Sequence, residues 1–267
     1  MKVAWGAVAA HRALWDRIYA IDGDMELVQA DPAGYDLYNP GGRQWWVPRR
    51  NRLALAEMMA EQEADVYAAG KGVRAGDVVL DCGANVGVFT RHALDSGART
   101  VVAIEPAPEN LECLHRNFES EIRAGRVIVY PKGVWDRDDV LQLRSFDQES
   151  GGDSVALKFP GSREGPKVLL TTIDKMVAEV RLERVDFIKM DIEGAERRAL
   201  AGARDTVSRY HPRMAISMEH QPDDPEAIPA VVAKLWPELK QECGPCRWVN
   251  TALVDRVQPE ELYAARK

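Results

Sequence analysis

The sequence predicts an α/β fold: a doubly wound, mostly parallel sheet with a helical N-terminal extension and a β-hairpin or loop insertion between its third and fourth strands. Three observations predict it. From Gly76 onward, short β-branched runs alternate with amphipathic stretches of helical period. Those runs are apolar nearly throughout, as strands covered on both faces are. The first of them, "VVLDCGANVGVFT" (Val78–Thr90), passes through two glycines four residues apart into a helical pattern, as a strand, a tight turn and a helix would.

Taken in order, residues up to about Gly70 read as helical or irregular. "MKVAWGAVAAHRALW" has a lysine and a short apolar stretch, but His11, Arg12 and Asp16 break it before signal-peptide length, leaving an amphipathic helix. "YNPGGRQWWVPRRN" (Tyr38–Asn51) is a turn-rich connection through Pro40, Gly41, Gly42 and Pro48. "RLALAEMMAEQEADVYAAG" has a helical apolar period that ends at Gly70. "DVVLD" is then the first strand and "VFTRHALDSG" a helix closed by Gly97. "TVVAIEP" is the second strand, followed by the helix "PENLECLHRNF" with Leu111, Leu114 and Phe118 on one face. "RVIVYPKGVW" is the third, "VDFIKMDIEGAE" the fourth running into a helix, and "RMAISMEH" the fifth. "VLQLR" and "KVLLTTI" read as strands flanking "SFDQESGGDSVALKFPGSREGP", the hairpin-like insertion or mobile loop.

The bulk properties narrow the possibilities. A chain of 267 residues and 29.8 kDa can build one large α/β domain with an appended piece. A composition 46% hydrophobic and 29% charged excludes bulk disorder. A net charge of −7 and a pI near 5.4 argue against a broad phosphate-binding face, so no nucleic-acid partner is expected. No apolar run approaches the ~20 residues that span a bilayer, and the expectation is a cytoplasmic protein without a membrane partner. Cys82 and Cys113 sit in apolar patterns as small core residues, and Cys243 and Cys246 form a lone CxxC read as structural or incidental. His11, His92, His115 and His211 read as structural.

In an open parallel sheet, ligands bind beyond the carboxyl ends of the strands, beside the first. Gly83 can take a conformation denied to other residues, and the N–H groups of the new helix then face the ligand. A dinucleotide site wants G-x-G-x-x-G. Here the run is Gly83-Ala84-Asn85-Val86-Gly87, with Asn85 at the middle glycine and Asp81 before the first. Asp81 would repel a pyrophosphate and suits a ligand's ammonium group, which moves the reading from a nicotinamide nucleotide to S-adenosylmethionine. Glu105-Pro106, closing the second strand, stands where an acid can hold both ribose hydroxyls.

"DCGANVGVFTRHAL", "VVAIEPAPENLECLHRNF", "TTID", "VDFIKMDIEGAERRAL" and "MAISMEHQPDDPEAIP" together resemble the FkbM-type family of S-adenosylmethionine-dependent methyltransferases, over roughly Glu63 to Ala233. The resemblance implies a Rossmann-like class I methyltransferase fold and O-methylation of a hydroxyl on a sugar, glycoside or other small natural product. The expected division of the chain is an N-terminal helical or lid segment, residues 1–70, and a methyltransferase domain, residues 71–267. The expected cofactor contacts are Asp81, Gly83, Ala84, Asn85, Gly87, Val88, Phe89, Glu105, Pro106, Gly133, Val134 and Asp191, with Gly133 and Val134 beside the adenine. An N-methyltransferase of protein or nucleobase would show an N/D-P-P-Y/F tetrad after the fourth strand, where "DIEG" stands. A catalytically silent binding module remains a further alternative.

Methyl transfer needs alignment of acceptor and methyl carbon, and a group to take the acceptor's proton. The catalytic candidates are Lys189 and Asp191 on the fourth strand, and Glu219 and His220 closing the fifth. His220 could act as base. Asp191 and Glu219, with the histidine, could instead hold a divalent metal. Glu193 and Glu196 fall in a first helical turn, where acids oppose the helix dipole, and Glu196 in particular reads as structural. Trp135 could wall the adenine pocket or be core, and Trp5, Trp15, Trp45 and Trp46 could stack on a sugar or form the core of a lid. Oligomeric state is open.

Overall fold

A computed structural model of the chain describes residues 2–67, 72–145, 153–157, 162–244, 246–250 and 255–266. Helix α1 (Lys2–Asp24) is followed by a small antiparallel sheet, β1 (Leu27–Ala30), β2 (Tyr35–Tyr38) and β3 (Trp45–Pro48), and by α2 (Arg52–Glu63). The extension is thus helical at its two ends with strands between. The stretch expected to be all turn holds β3, because Trp45 and Val47 alternate inward onto the core while Trp46 is half-buried. Helix α2 stops at Glu63 rather than running to Gly70.

The doubly wound part runs β4 (Val78–Cys82), α3 (Val88–Asp95), β5 (Thr100–Ile104), α4 (Pro108–Asn117), α5 (Glu119–Arg123), β6 (Val127–Tyr130), β7 (Gly133–Val134), β8 (Asp139–Ser145), β9 (Arg163–Thr171), α6 (Ile173–Val180), β10 (Phe187–Met190), α7 (Glu196–Ala201), α8 (Arg204–Tyr210), β11 (Arg213–Ser217) and α9 (Asp224–Leu235). The chain continues through β12 (Leu239–Cys243), β13 (Cys246–Asn250), β14 (Asp255–Pro259) and β15 (Glu261–Arg266). The central sheet has the order β12-β15-β11-β10-β4-β5-β6, parallel from β11 to β6, with β15 antiparallel to β11.

Both faces are covered, which is why the strands read as continuous apolar runs. Val79, Val101, Ala103 and Phe187 face α3, α4 and the N-terminal segment, whose Leu55, Ala56 and Trp45 lie in the same buried cluster. Leu80, Val102, Ile104, Ile188 and Ile216 face the other way, onto α6 to α9. The local signals are conventional: Pro108 opens α4, and the Thr172 side chain caps α6 by accepting from the Lys175 N–H at 3.0 Å.

The third strand of the sequence reading is two strands. Its first half is β6 of the central sheet, while β7 leaves to pair with β9, which pairs antiparallel with β8. This three-stranded layer is the expected hairpin insertion; the tip, residues 146–152 and 158–161, lies outside the described residues. Trp135 is core here, packed with Leu143, Val168 and Leu170. Cys243 is exposed at the end of β12, while the side chains of Cys246 and Trp5 lie outside the described residues. No helix among the described residues is long and apolar enough to cross a membrane.

Candidate active site

Asp81 of β4 lies in register with Lys189 of β10, and Cys82 with Met190. The chain leaves β4 for β5 and β6 and returns on the opposite side at β10, so a crevice opens beyond the carboxyl ends of these two neighbours. Gly83 turns the chain there with φ +81, and a Cβ would overlap the Asp191 carbonyl oxygen and lie 3.0 Å from its carbon. The neighbouring backbone therefore demands glycine before any ligand does. Gly87 begins α3 with φ +98, its α-hydrogens facing the Phe118 ring.

The turn is tied to β5. The N–H groups of Gly83 and Ala84 both donate to the Ile104 carbonyl at 3.1 Å. Asn85, at φ +49, donates its N–H to one Glu105 oxygen at 2.9 Å, and the Ala107 N–H donates to the other at 2.8 Å. Burial pushes the Glu105 carboxyl up to about 7, against the pull of those N–H groups and of Asn110. Asn85 Oδ1 is buried at the same turn with no hydrogen-bond partner. A polar ligand in the crevice would complete it.

Asp81 has no exposed surface. It accepts from the Thr90 hydroxyl at 2.6 Å and stands 3.6 Å from Lys189 Nζ. The sequence reading gives Asp81 to a ligand's ammonium group; in the structure the ammonium facing it belongs to Lys189. Burial raises the Asp81 pKa, with Lys189 and Thr90 opposing. Lys189 is itself buried, donates to the Gly83 carbonyl at 2.9 Å and lies 3.8 Å from Asp191. Burial disfavours its charge, but Asp191 and Asp81 outweigh that and raise its pKa. Lys189, named as a catalytic candidate, thus bridges two carboxylates at the base of the crevice.

Asp191 follows β10 directly. Its Oδ2 accepts from the Tyr67 hydroxyl at 2.7 Å, and its Oδ1 is 3.4 Å from His220 Nε2. Burial raises its pKa, but Lys189, His220 and Tyr67 together bring it below the usual carboxylate value. His220, just beyond β11, is buried among three acids, with Nε2 3.4 Å from Glu193 as well and Nδ1 3.2 Å from Glu196. Burial disfavours the imidazolium, yet Glu193 and Glu196 win and lift the pKa well above that of free histidine. Glu196 also accepts from the Ile192 N–H at 2.9 Å, tying down the turn before α7, while touching His220 as well.

Asp191, Glu196 and His220 could hold a metal, since one ligand atom from each lies within 4.8 Å of the others. Two carboxylates and an imidazole suit a divalent transition ion. Glu196 Oε2 is buried there without a hydrogen-bond partner, and His220 Nδ1 faces the other oxygen of the same carboxylate, so the donor set fits such an ion. Glu219, the other acid named for a metal, is not part of this group. It follows β11 on the side of Glu260, and burial, then Glu260, drives its pKa well above normal.

The fold therefore gathers Asp81, the turn from Gly83 to Gly87, Glu105, Lys189, Asp191 and His220 at the carboxyl end of the central strands. The side chains of Val88, Phe89 and Val134 lie in the core instead, Phe89 stacked 6.2 Å from Phe187. Gly133 sits beside Pro106, whose Cγ would be 3.6 Å from an added Cβ. Thr90, Glu61 and Tyr67 join the cluster without a signal in the sequence. Glu61, on α2, is driven well above the usual range by burial and then by Glu57 and Asp191. Tyr67 follows the same helix. In sequence both read as ordinary helix positions, and no local signal marks them.

A sequence model of the methyltransferase FkbM domain matches residues 81–244, more than half of the chain. The chain belongs to the FkbM methyltransferase family. Among its FkbM relatives, the 31-O-demethyl-FK506 methyltransferase FkbM of Streptomyces tacrolimicus is 29% identical over 51% of this chain and 63% of its own. Methyltransferase 1 of Beauveria bassiana is 27% identical over 48% of this chain and 58% of its own. The chain thus spans about three fifths of the length of these curated relatives. The crystal structure of methyltransferase FkbM from Methylobacillus flagellatus has a TM-score of 0.50 at 18% identity, covering 98% of this chain and 60% of that one, and speaks for the α/β Rossmann-like class I fold.

Proposed function

We propose that this FkbM-family chain transfers a methyl group from S-adenosylmethionine to a hydroxyl of a sugar, glycoside or other small natural product. The observation that carries the reading is the pairing of Asp191 with His220 at the lip of the crevice, beside a turn whose Asn85 Oδ1 lacks a partner. The cofactor supplies an electrophilic methyl group on a sulfonium. The protein's part is to hold the acceptor oxygen in line and relieve it of its proton. Asp191, fixed from both sides, is the group placed to receive that hydrogen; His220 orients it. Glu105 is left to hold the ribose and the Gly83–Gly87 turn to seat the amino acid end, with Lys189 joining Asp81 beneath. In this reading residues 1–70 wall the acceptor side of residues 71–267.

A divalent ion at Asp191, Glu196 and His220 would polarise the hydroxyl as a Lewis acid.

The test combines calorimetry with S-adenosylhomocysteine and transfer of a labelled methyl group to panels of hydroxyl and amine acceptors. Binding with hydroxyl turnover supports the reading. Absence of binding overturns the cofactor assignment, amine-only turnover overturns O-methylation, and tight binding without any turnover supports a silent binding module. Full activity after exhaustive EDTA dialysis removes the metal.

A further inference from the structure

Asp191 is held by groups from three separate parts of the chain. Lys189 comes from its own strand and His220 from the end of β11. The third, Tyr67, comes from the segment after α2, 124 residues away in sequence. It also lies before residue 81, where the family match begins. Tyr67 is 6% exposed, its ring meets Phe89 edge-on at 5.8 Å, and Lys189 Nζ lies 5.2 Å from its centroid. The backbone beside it is tied down too, since the Tyr263 hydroxyl of β15 donates to the Val66 carbonyl. A buried ring held on two sides can point its hydroxyl in one direction only, and that direction is Asp191 Oδ2.

We propose that Tyr67 is a positioning residue: its hydroxyl fixes the orientation of the Asp191 carboxylate, so that the N-terminal segment is an integral part of the reaction site. The inference rests on the methyl-transfer reading. A carboxylate free to rotate about χ2 offers its lone pairs to the acceptor only part of the time. Tyr67 occupies Oδ2 and leaves Oδ1, 3.4 Å from His220 Nε2, as the oxygen to meet the acceptor. Lys189 cannot replace it, because at 3.8 Å from Oδ2 and already donating to Gly83 it supplies charge without direction.

The experiment compares Tyr67→Phe, Asp191→Asn and the double variant. Tyr67→Phe keeps the ring and its contacts with Phe89 and Lys189. Its kcat is expected to fall about 10- to 100-fold, as for a misplaced reacting group, with KM for S-adenosylmethionine and affinity for S-adenosylhomocysteine unchanged. Because Tyr67 acts through Asp191, the double variant should be no slower than Asp191→Asn alone. A crystal structure of Tyr67→Phe with S-adenosylhomocysteine should show the Asp191 carboxylate turned from its present orientation. Multiplicative losses in the double variant, a parallel loss of S-adenosylhomocysteine affinity, or an unmoved carboxylate would each overturn the proposal. Should the wild-type chain methylate no acceptor, the methyl-transfer reading fails, while the crystallographic comparison still decides whether Tyr67 orients Asp191.

Discussion

Replacing Gly83 by alanine tests whether the turn is set by the neighbouring strand. The new methyl would overlap the Asp191 carbonyl oxygen and crowd the Ile192 side chain at 3.2 Å. Two costs add. The left-handed backbone, at φ +81, is unfavourable for alanine by about 1–2 kcal/mol. Displacing the Asp191 carbonyl also stretches the bond from the Asp191 N–H to the Cys82 carbonyl, now 3.2 Å, worth about 0.5–1.5 kcal/mol. Together they predict about 2–3 kcal/mol of lost stability, or roughly 5–10 °C in Tm for a chain of this size. Gly34 is the control: it has φ +96 but open space around its α-carbon, so Gly34→Ala should lose only the backbone share, about 1–2 kcal/mol. The assay is urea unfolding of both variants, followed by the methyl-transfer rate of each. Because the clash moves Asp191 itself, Gly83→Ala should also lose about 100-fold in kcat, the penalty expected for a displacement of an ångström. Equal unfolding midpoints for the two variants, or wild-type turnover from Gly83→Ala, would refute the argument.

Lys189→Met should destabilise the chain by about 3–5 kcal/mol in urea unfolding at pH 7, since two buried carboxyl groups, Asp81 and Asp191, would lose the ammonium between them. Glu105 supplies a pH dependence. Its folded pKa, about 7, lies above the unfolded value, so the native state holds its proton more tightly. Stability from this group is therefore full below about pH 4.3 and declines as pH rises toward 7, by up to about 3 kcal/mol. Glu105→Gln should flatten that part of a calorimetric stability profile, and an unchanged slope would contradict the assignment. Phe118→Ala removes a fully buried ring that touches Trp45 and fills the space beside Gly87, and should cost about 3–5 kcal/mol by the same unfolding assay.

How much of the site was legible follows from how local each signal is. The strand carrying Asp81, the turn between Gly83 and Gly87, and the acid closing β5 announce themselves by spacing, and the fold brings them together. Asp191 and His220 were legible because both close strands that a parallel sheet places side by side. The partners were not. Nothing within "FIKMD" says that Lys189 reaches back to Asp81 and the Gly83 carbonyl, and nothing near Glu219 says that Glu196 replaces it beside His220. The excursion of β7 out of the central sheet was hidden for a similar reason: Gly133 and Val134 are extended in either sheet, and only the partner differs.

By itself, the sequence determined the alternation of strands and helices between β4 and β11, the two-faced burial of those strands and the end of the sheet that carries the candidate site. These depend on side-chain period and turn stereochemistry, which act over a few residues. The tertiary structure decided which charges pair, which strand-end side chains meet, and that Tyr67 reaches Asp191 across 124 residues of chain. Such contacts are set by how whole elements pack. A hydroxyl and a carboxylate that meet only when α2 settles against the sheet leave no trace in the residues beside either one.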